Sequence, residues 1–493
     1  MAARGDYLLA IDQGTTGTTV LVLNRSLNVL GRGYSEIPQI YPRPGEVEHD
    51  PAAIWGSVTA ALAAALRQAS VSASGIAAIG ITNQRETTLL WERATGKTIG
   101  NAIVWQDRRT APVCEAMKEA GLEPRIRERT GLVLDPYFSG TKLRFMLEAT
   151  PGLRARAERG EIAFGTVDSF LIWRLSGGKA HVTDASNASR TLLFDLDAGS
   201  FTDELCRLFD VPAAVLPEVR GSAEVLAVTA DVPGLPDGIP IAGVAGDQQA
   251  ALYGQSCLDA GDAKCTFGTG AFLLMNVGET PLRSRNGLLG TVAWRIDGKT
   301  TYALEGSAFV AGALIQWLRD GLGIIRSAAE SEELARSVPD TGGVMIVPAL
   351  VGLGAPHWRP EARGLISGLT RGTTKAHLCR AALEAIALQN VDLATAMQSD
   401  AGRSMTQLRV DGGAAANDLL MQLQADFLGV TLFRPDMIEA TALGAAKLAA
   451  RGVGLEVDSA TSTTTRMGIF NPTLDVPSRA SLLERWRQAV GKA

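Results

Sequence analysis

An α/β fold of two lobes is predicted by three features of the sequence. Short β-like runs alternate with helical periodicity along the chain. The same strand, turn and helix grammar stands near both ends: "YLLAID", "TVLVLN" and "PAAIWGSVTAALAAALRQA" early, then "LRVD", "GGAAAN" and "DLLMQLQADFL" late. A Gly/Thr turn between apolar strands also occurs twice, in "AIDQGTTGTTVLVLN" and in "KCTFGTGAFLLMNVG" from Lys264. At 493 residues the chain outgrows a single core, and a prior of about 150 residues per domain asks for two to three.

The elements follow from local chemistry. Asp50 is placed to cap a helix whose first position is Pro51, where a missing N–H costs nothing. Gly429 stops the helix "DLLMQLQADFL". The boundary falls in "GQSCLDAG", Gly254 to Gly261, giving lobes 1–254 and 255–493. A small polar tract, "TSTTT" near residue 463, is the one low-complexity stretch.

Composition narrows the function classes. With 47 basic and 52 acidic residues intermixed and a net charge of -5, no basic stripe exists to track nucleic acid. No apolar run approaches the roughly 18 residues that span a bilayer, and no export signal is read at the start. Five cysteines without CxxC spacing and four histidines without HExxH predict a reduced cytoplasmic protein with no zinc site. The sequon "NAS" at Asn187 is expected to stay unglycosylated.

Five stretches carry polar chemistry. In "DQGTTGTT", backbone N–H groups and Thr hydroxyls suit a phosphate, with Asp12 at the strand end able to hold Mg²⁺; standing alone, the stretch reads first as an ordinary Gly-containing hairpin. "WERATGKT" ends like a Walker loop, but Trp91 occupies the first Gly position and no helix follows, so a polar hairpin is expected. "GITNQRETTLLW" sets Asn83, Gln84, Arg85 and Glu86 after an apolar strand, as a solvated turn or as a floor that reads polyol hydroxyls. Trp105 in "NAIVWQDRRT" is either core or a flat cover for a small carbon skeleton. "IPIAGVAGDQQAALYG" ends its strand at Asp247, which fits a general base or a helix cap. The second lobe adds "FGTGAF" and "VDGGAAAN", turns suited to a nucleotide.

Taken in order, these stretches resemble the FGGY carbohydrate kinases, and among them the members that phosphorylate glycerol. The likeness runs through "DQGTTGT", "AAIGITNQRETT", "DPYFSGTK", "VTDASNASRTLLF", "AGDQQAAL", "FGTGAF", "YALEGSAFVAGALIQWLRD", "RVDGGAAAN" and "TALGAAKLA". "NQRE" with "DPYFSGTK" is its specific part, because related sugar kinases carry other residues there. The resemblance implies two ribonuclease H-like lobes of the actin and hexokinase type with the active cleft between them. It further implies ATP, Mg²⁺ and glycerol as ligands, a homo-oligomer (dimer or tetramer), and the entry step of glycerol breakdown. By the same resemblance Arg85, Glu86, Tyr137, Asp247 and Gln248 match acceptor-binding positions, and Trp105 and Phe272 its apolar walls. Thr15, Thr16 and Gly17 fall in the phosphate loop, and Thr269, Gly312, Gln316, Gly413 and Asn417 match nucleotide positions. Asp12, with Asp247, matches the metal position. Thr19 stands where many members carry Arg, and "DVPGLPDGIP" lacks an Arg that some use for a sugar-phosphate inhibitor.

Asp247 is expected to take the proton of the attacking hydroxyl while the lobes close around the reactants. Two rivals remain at this stage: an FGGY kinase for another polyol or sugar, and a nucleotide-gated binding module of the same superfamily.

Overall fold

The computed structural model describes residues 5–359, 361–435, 439–457 and 468–493. The Thr-rich tract near residue 463 lies outside them.

The first lobe is built on β1 (Tyr7–Gln13), β2 (Gly17–Asn24), β3 (Val29–Glu36), β4 (Ile76–Asn83), β5 (Ala227–Val228) and β6 (Pro240–Gly246), in the order β5-β6-β4-β1-β2-β3. β1 and β2 form an antiparallel hairpin, β3 adds antiparallel to β2, β4 and β6 run parallel to β1, and β5 closes antiparallel. β4 is buried at all eight positions, as expected of a parallel strand covered on both faces, and that explains its unbroken apolar run "IAAIGI".

The second lobe repeats the plan. Its strands are β7 (Ala263–Phe267), β8 (Ala271–Gly278), β9 (Leu289–Ile296), β10 (Lys299–Ala308), β11 (Gln407–Asp411), β12 (Thr431–Arg434) and β13 (Gly468–Phe470), ordered β9-β10-β8-β7-β11-β12-β13. Again a hairpin, a third antiparallel strand, two parallel strands and an antiparallel edge follow each other, with β9 added outside. The two Gly/Thr turns are therefore equivalent: residues 14–16 join β1 to β2, and residues 268–270 join β7 to β8. Each is closed by a short backbone bond, Gly14 N–H to Gly17 O at 2.9 Å and Gly268 N–H to Gly270 O at 2.8 Å. Both sheets have the ribonuclease H-like succession of strands, and the chain has the two-lobed actin and hexokinase-type fold.

Helices cover the sheets, the longest described being α4 (Lys375–Ala401), buried in the second-lobe core. α1 (Pro51–Ala69) begins as its cap residues predict, with the Asp50 carboxylate accepting from Ala52 N–H at 2.8 Å. Its stripe Ile54, Val58, Ala61, Leu62 and Ala65 seals one face of the first sheet. The opposite face is covered by a helix from far along the chain, α6 (Ala440–Gly452), whose Ala442, Ala446, Ala449 and Ala450 pack on Leu8, Ala10, Leu21, Leu23, Ala78 and Ala242. Here backbones meet: a Cβ on Gly444 would lie 1.8 Å from Ala250 O, and one on Gly80 2.1 Å from Ala445 O. The late "TALGAAKLA" segment thus locks the second half of the sequence onto the first-lobe sheet. Chain order and spatial neighbourhood part company at this helix.

The faces of the second sheet decide what meets the cleft. β8 pairs Leu274 with Lys264 and with Glu305, and Phe272 with Thr266 and with Ser307. Side chains alternate with period two, so Lys264, Thr266, Phe272 and Glu305 share one face. Cys265, Phe267, Leu273, Met275 and Leu304 take the other and enter the lobe core.

Candidate active site

The turn Gly14 to Thr16 is held from below. Gln84 Nε2–H donates to Gly14 O at 3.2 Å and to Gln13 Oε1 at 3.1 Å, which fixes the turn against the end of β4. Thr15 Oγ1 accepts from the Trp105 indole N–H at 2.9 Å. Trp105 lies just beyond the short strand Ala102–Ile103 and presents its ring edge-on to Tyr137, with centroids 5.6 Å apart. The predicted phosphate turn and the predicted apolar wall are therefore one unit. Asp12 stands opposite Thr19 in the β1/β2 register. Burial, with Asp247 and Glu439 nearby, pushes its carboxyl up to about 7.

The stretch Asn83 to Glu86 is a buried floor and not a solvated turn: all four residues are within 3% of full burial. Asn83 Nδ2–H donates to Asn187 Oδ1 at 3.0 Å. Asn187 itself is fully buried, so the "NAS" sequon is not a surface acceptor, as expected. Glu86 adopts φ 61, a left-handed conformation of order 1 kcal/mol uphill for a residue with a Cβ. Two hydroxyls hold it there, Ser139 Oγ–H and Thr88 Oγ1–H, donating to Glu86 O at 2.9 and 3.1 Å. Strain secured in this way turns the Glu86 side chain inward instead of toward water.

Arg85 Nε lies 3.1 Å from Asp247 Oδ1. That approach needs Gly246, since a Cβ there would meet Arg85 Cδ at 2.6 Å. Gly246 also takes the N-cap position of α2 (Asp247–Gly254), so Asp247 is the first helical residue and its carboxylate accepts one first-turn amide, Gln248 N–H at 2.7 Å. Part of Asp247 remains exposed, its side chain 33% accessible. Tyr137 follows an Asx turn, its N–H donating to Asp135 Oδ1 at 2.8 Å. The fully buried Lys142 ties that turn down by donating to Pro136 O and Tyr137 O, both at 2.6 Å. Burial lowers the Lys142 ammonium to about 8. Burial first, and Glu86 next, raise the Tyr137 phenol above its ordinary value, so it stays a hydrogen-bond donor at neutral pH.

On the second lobe, Thr269 O accepts from Ala311 N–H at 2.8 Å, and Gly268 O accepts from Gly312 N–H at 3.0 Å. The hairpin turn is thereby joined to α3 (Gly312–Gln316), at whose last position Gln316 is exposed. Gly412, at φ 89, lies so close to Phe267 that a Cβ would stand 2.5 Å from Phe267 O. This close approach brings the Gly413 turn beside the hairpin. Asn417 caps α5 (Asp418–Leu428), its Oδ1 accepting from Leu420 N–H at 2.8 Å, which leaves the amide Nδ2 as its outward donor. Gln248 bridges the lobes by accepting from Lys264 Nζ, which also donates to Thr266 Oγ1 at 2.8 Å.

Four residues of this site escaped sequence reasoning: Arg190, Gln249, Lys264 and Glu305. Arg190 Nε–H donates to Glu86 Oε1 at 2.6 Å, and Glu305 receives both Arg85 and Arg190. A lone charge inside an apolar run, as in "YALEGS", was the available signal.

Two equivalent hairpins facing a cleft, with a carboxylate at a strand end between them, define a two-lobed phosphotransferase. The chain belongs to the FGGY family of carbohydrate kinases: residues 7–254 match the N-terminal domain of that family and residues 263–453 its C-terminal domain. Among its relatives, a protein named glycerol kinase from Alkalilimnicola ehrlichii is 57% identical over 99% of this chain and 98% of its own length. One of the same name from Myxococcus xanthus is 56% identical over 99% of this chain and all of its own. A crystal structure of Plasmodium falciparum glycerol kinase with ADP superposes with a TM-score of 0.93 at 34% identity, covering 99% of this chain and 98% of that one.

Proposed function

We propose that the chain transfers the γ-phosphoryl group of ATP to a terminal hydroxyl of glycerol, giving sn-glycerol 3-phosphate and ADP. The observation that carries the reading is the buried Arg85 on Asp247, beside Glu86 and Tyr137, on a chain whose near full-length relatives are named glycerol kinases. A triol needs charged and phenolic groups at several hydroxyls and a thin apolar cover over its carbons. Arg85, Glu86 and Tyr137 supply the first, and Trp105 with Phe272 the second.

In the reaction the terminal hydroxyl gives its proton to Asp247 while its oxygen attacks the γ-phosphorus and the bond to the β-phosphate oxygen breaks. Such a transfer depends on alignment and charge neutralisation more than on covalent help. The N–H groups of Thr15 to Gly17 face the transferring phosphoryl, and the turns at Thr269, Gly312 and Gly413 hold the nucleotide. Asp12, whose carboxyl burial raises to about 7 beside Asp247, would gain a counter-charge from a cation there. Mg²⁺ would be held by one or two carboxylates, Asp12 and Asp247, together with phosphate oxygens. When bound, Mg²⁺ neutralises phosphate charge. All five cysteines are free and buried, in keeping with a cytoplasmic setting. No helix among the described residues is long and apolar enough to cross a membrane.

The test is an ADP-coupled assay over polyols, ketoses and sugar acids. Glycerol is expected to give the highest kcat/KM. Preference for a ketose or sugar acid would move the chain to a sibling activity, and slow ATP hydrolysis indifferent to every polyol would make it a binding module.

Thr19 offers a second test. It faces Asp12 directly, so an Arg there stands about 5 Å away across the hairpin and within reach of phosphate. Thr19→Arg is expected to lower the KM for ATP several-fold, an effect that fades with salt. An unchanged KM would show that the backbone donors already suffice.

A further inference from the structure

We propose that Glu305 is a positioning residue for the acceptor floor: a carboxylate delivered by the second lobe that aims the guanidinium of Arg85, with Arg190 completing the frame. The proposal rests on reading that floor as the polyol site.

The donors can be counted. A guanidinium has five N–H groups. Arg85 directs Nε at Asp247, Nη1 at Glu305 Oε2 (2.5 Å) and Gln249 Oε1 (3.2 Å), and Nη2 at Glu305 Oε1 (3.0 Å). The Nε contact with Asp247 is an ion pair, so one Nη2 hydrogen and the Nε hydrogen stand outside the hydrogen bonds and are the donors left for a hydroxyl. Both arms of the fork are occupied by a single carboxylate, and this bidentate geometry fixes the plane of the guanidinium as a single bond would not. Take Glu305 away, and the fork is free to turn onto Asp247, the nearest remaining anion. The proton acceptor would then be covered by the group meant to bind substrate beside it.

Arg190 makes the frame rigid. Its Nη2 donates to the same Glu305 Oε1 at 3.0 Å, its Nε to Glu86 Oε1, and its Cζ lies 5.6 Å from the Tyr137 ring centre. Its Nη1 is buried with no partner among the described residues. Three acceptor-binding side chains, Arg85, Glu86 and Tyr137, are thus tied to the pair Glu305 and Arg190. Burial alone would raise the Glu305 carboxyl, but Arg190 and Arg85 outweigh it and hold the group down to about 2, so it is charged at every working pH.

The lobes give this arrangement its consequence. Arg85 and Arg190 belong to the first lobe, whereas Glu305 rides on β10 of the second. It shares the cleft face with Phe272, its diagonal neighbour across β8 and β10. The floor is aimed only while the lobe that carries the nucleotide turns is seated against it. Acceptor binding is thereby coupled to lobe position without any contact between Glu305 and the acceptor.

Glu305→Gln and Glu305→Asp test the idea, with kcat and KM measured separately for glycerol and ATP. The Gln variant is expected to raise the glycerol KM at least tenfold and lower kcat at least tenfold, with the ATP KM within twofold of the unaltered chain. The Asp variant keeps the charge with a shorter reach and should fall between. If the Gln variant melts below the assay temperature, Glu305→Asp and Arg190→Lys decide by the same split. A glycerol KM within twofold of the unaltered chain, or glycerol and ATP constants worsening together, would overturn the positioning role. The unaltered chain is assayed alongside: its failure to phosphorylate glycerol refutes the functional reading, while turnover that is indifferent to Glu305 refutes only the role given to this residue.

Discussion

Replacing Asp247 by Asn is expected to leave glycerol binding within about threefold and to lower kcat by about 10²- to 10⁴-fold, the usual contribution of a positioned general base. Asn has the same shape, and its Oδ1 can still accept from Gln248 N–H at 2.7 Å and lie beside Arg85 Nε, 3.1 Å away. The floor therefore keeps its geometry. What Asn lacks is a basic oxygen for the hydroxyl proton, and that need arises only as the new phosphorus–oxygen bond forms. The loss should fall on kcat and leave glycerol affinity by calorimetry nearly untouched. Because Asp247 also neighbours Asp12, the assay is repeated at tenfold higher Mg²⁺. A persistent deficit supports proton acceptance. Recovery of kcat with added Mg²⁺ would instead make Asp247 an organiser of the cation, and kcat near that of the unaltered chain would remove it from the chemistry.

The features legible in the sequence were those set by neighbours along the chain. Asp50 with Pro51, the stop at Gly429, and the repeated Gly/Thr turns each depend on a few adjacent residues, and the structure has each of them where it was expected. The "WERATGKT" decoy is likewise a tight local turn, with Gly96 N–H donating to Glu92 O at 2.8 Å. Ambiguity began where a side chain's partner lay far away. "NQRE" by itself read first as a wet turn and second as a dry floor, because what buries it comes from residues near 139, 187, 247 and 305. Asp247 read as cap or base because only the folded chain shows Gly246 taking the cap position. Arg190 and Glu305 were passed over, since the Arg85 to Glu305 pair closes a separation of 220 positions. The echo between the two hairpins was weak as sequence and becomes strong only as topology, where five strands follow one order in both lobes. For α6, the run "TALGAAKLA" reads only as part of the family likeness, and the sheet it packs on is decided by partners hundreds of positions earlier.

Asp12→Asn is expected to separate stability from activity. The Asp12 carboxyl is raised to about 7 in the fold, against about 4 in an unfolded chain. Between those values the folded protein holds the extra proton, so linkage makes stability fall as pH rises: the benefit of the neutral carboxyl is complete below about 4 and gone above about 7. At pH 8 the metal-free protein carries an ionised carboxylate beside two others. Asp12 keeps part of its surface open to the cleft, which discounts that cost to about 1–2 kcal/mol. Asn never ionises. The metal-free variant should therefore melt a few degrees above the unaltered chain at pH 8, with the gap shrinking as pH falls toward 5. Its activity should move the other way, because an amide oxygen is a poor substitute for the carboxylate that the cation needs, and kcat is expected to drop at least 10²-fold. Adding Mg²⁺ with an ATP analogue should raise the melting temperature of the unaltered chain by more than that of Asp12→Asn, since only the former gains a counter-charge for a buried anion. Equal melting curves at pH 8 without metal would show that Asp12 bears no such cost. An equal Mg²⁺-dependent rise in both proteins would place the cation elsewhere. The carboxylate that destabilises the empty cleft is, on this account, the one that makes the cleft a site for a metal-bound nucleotide.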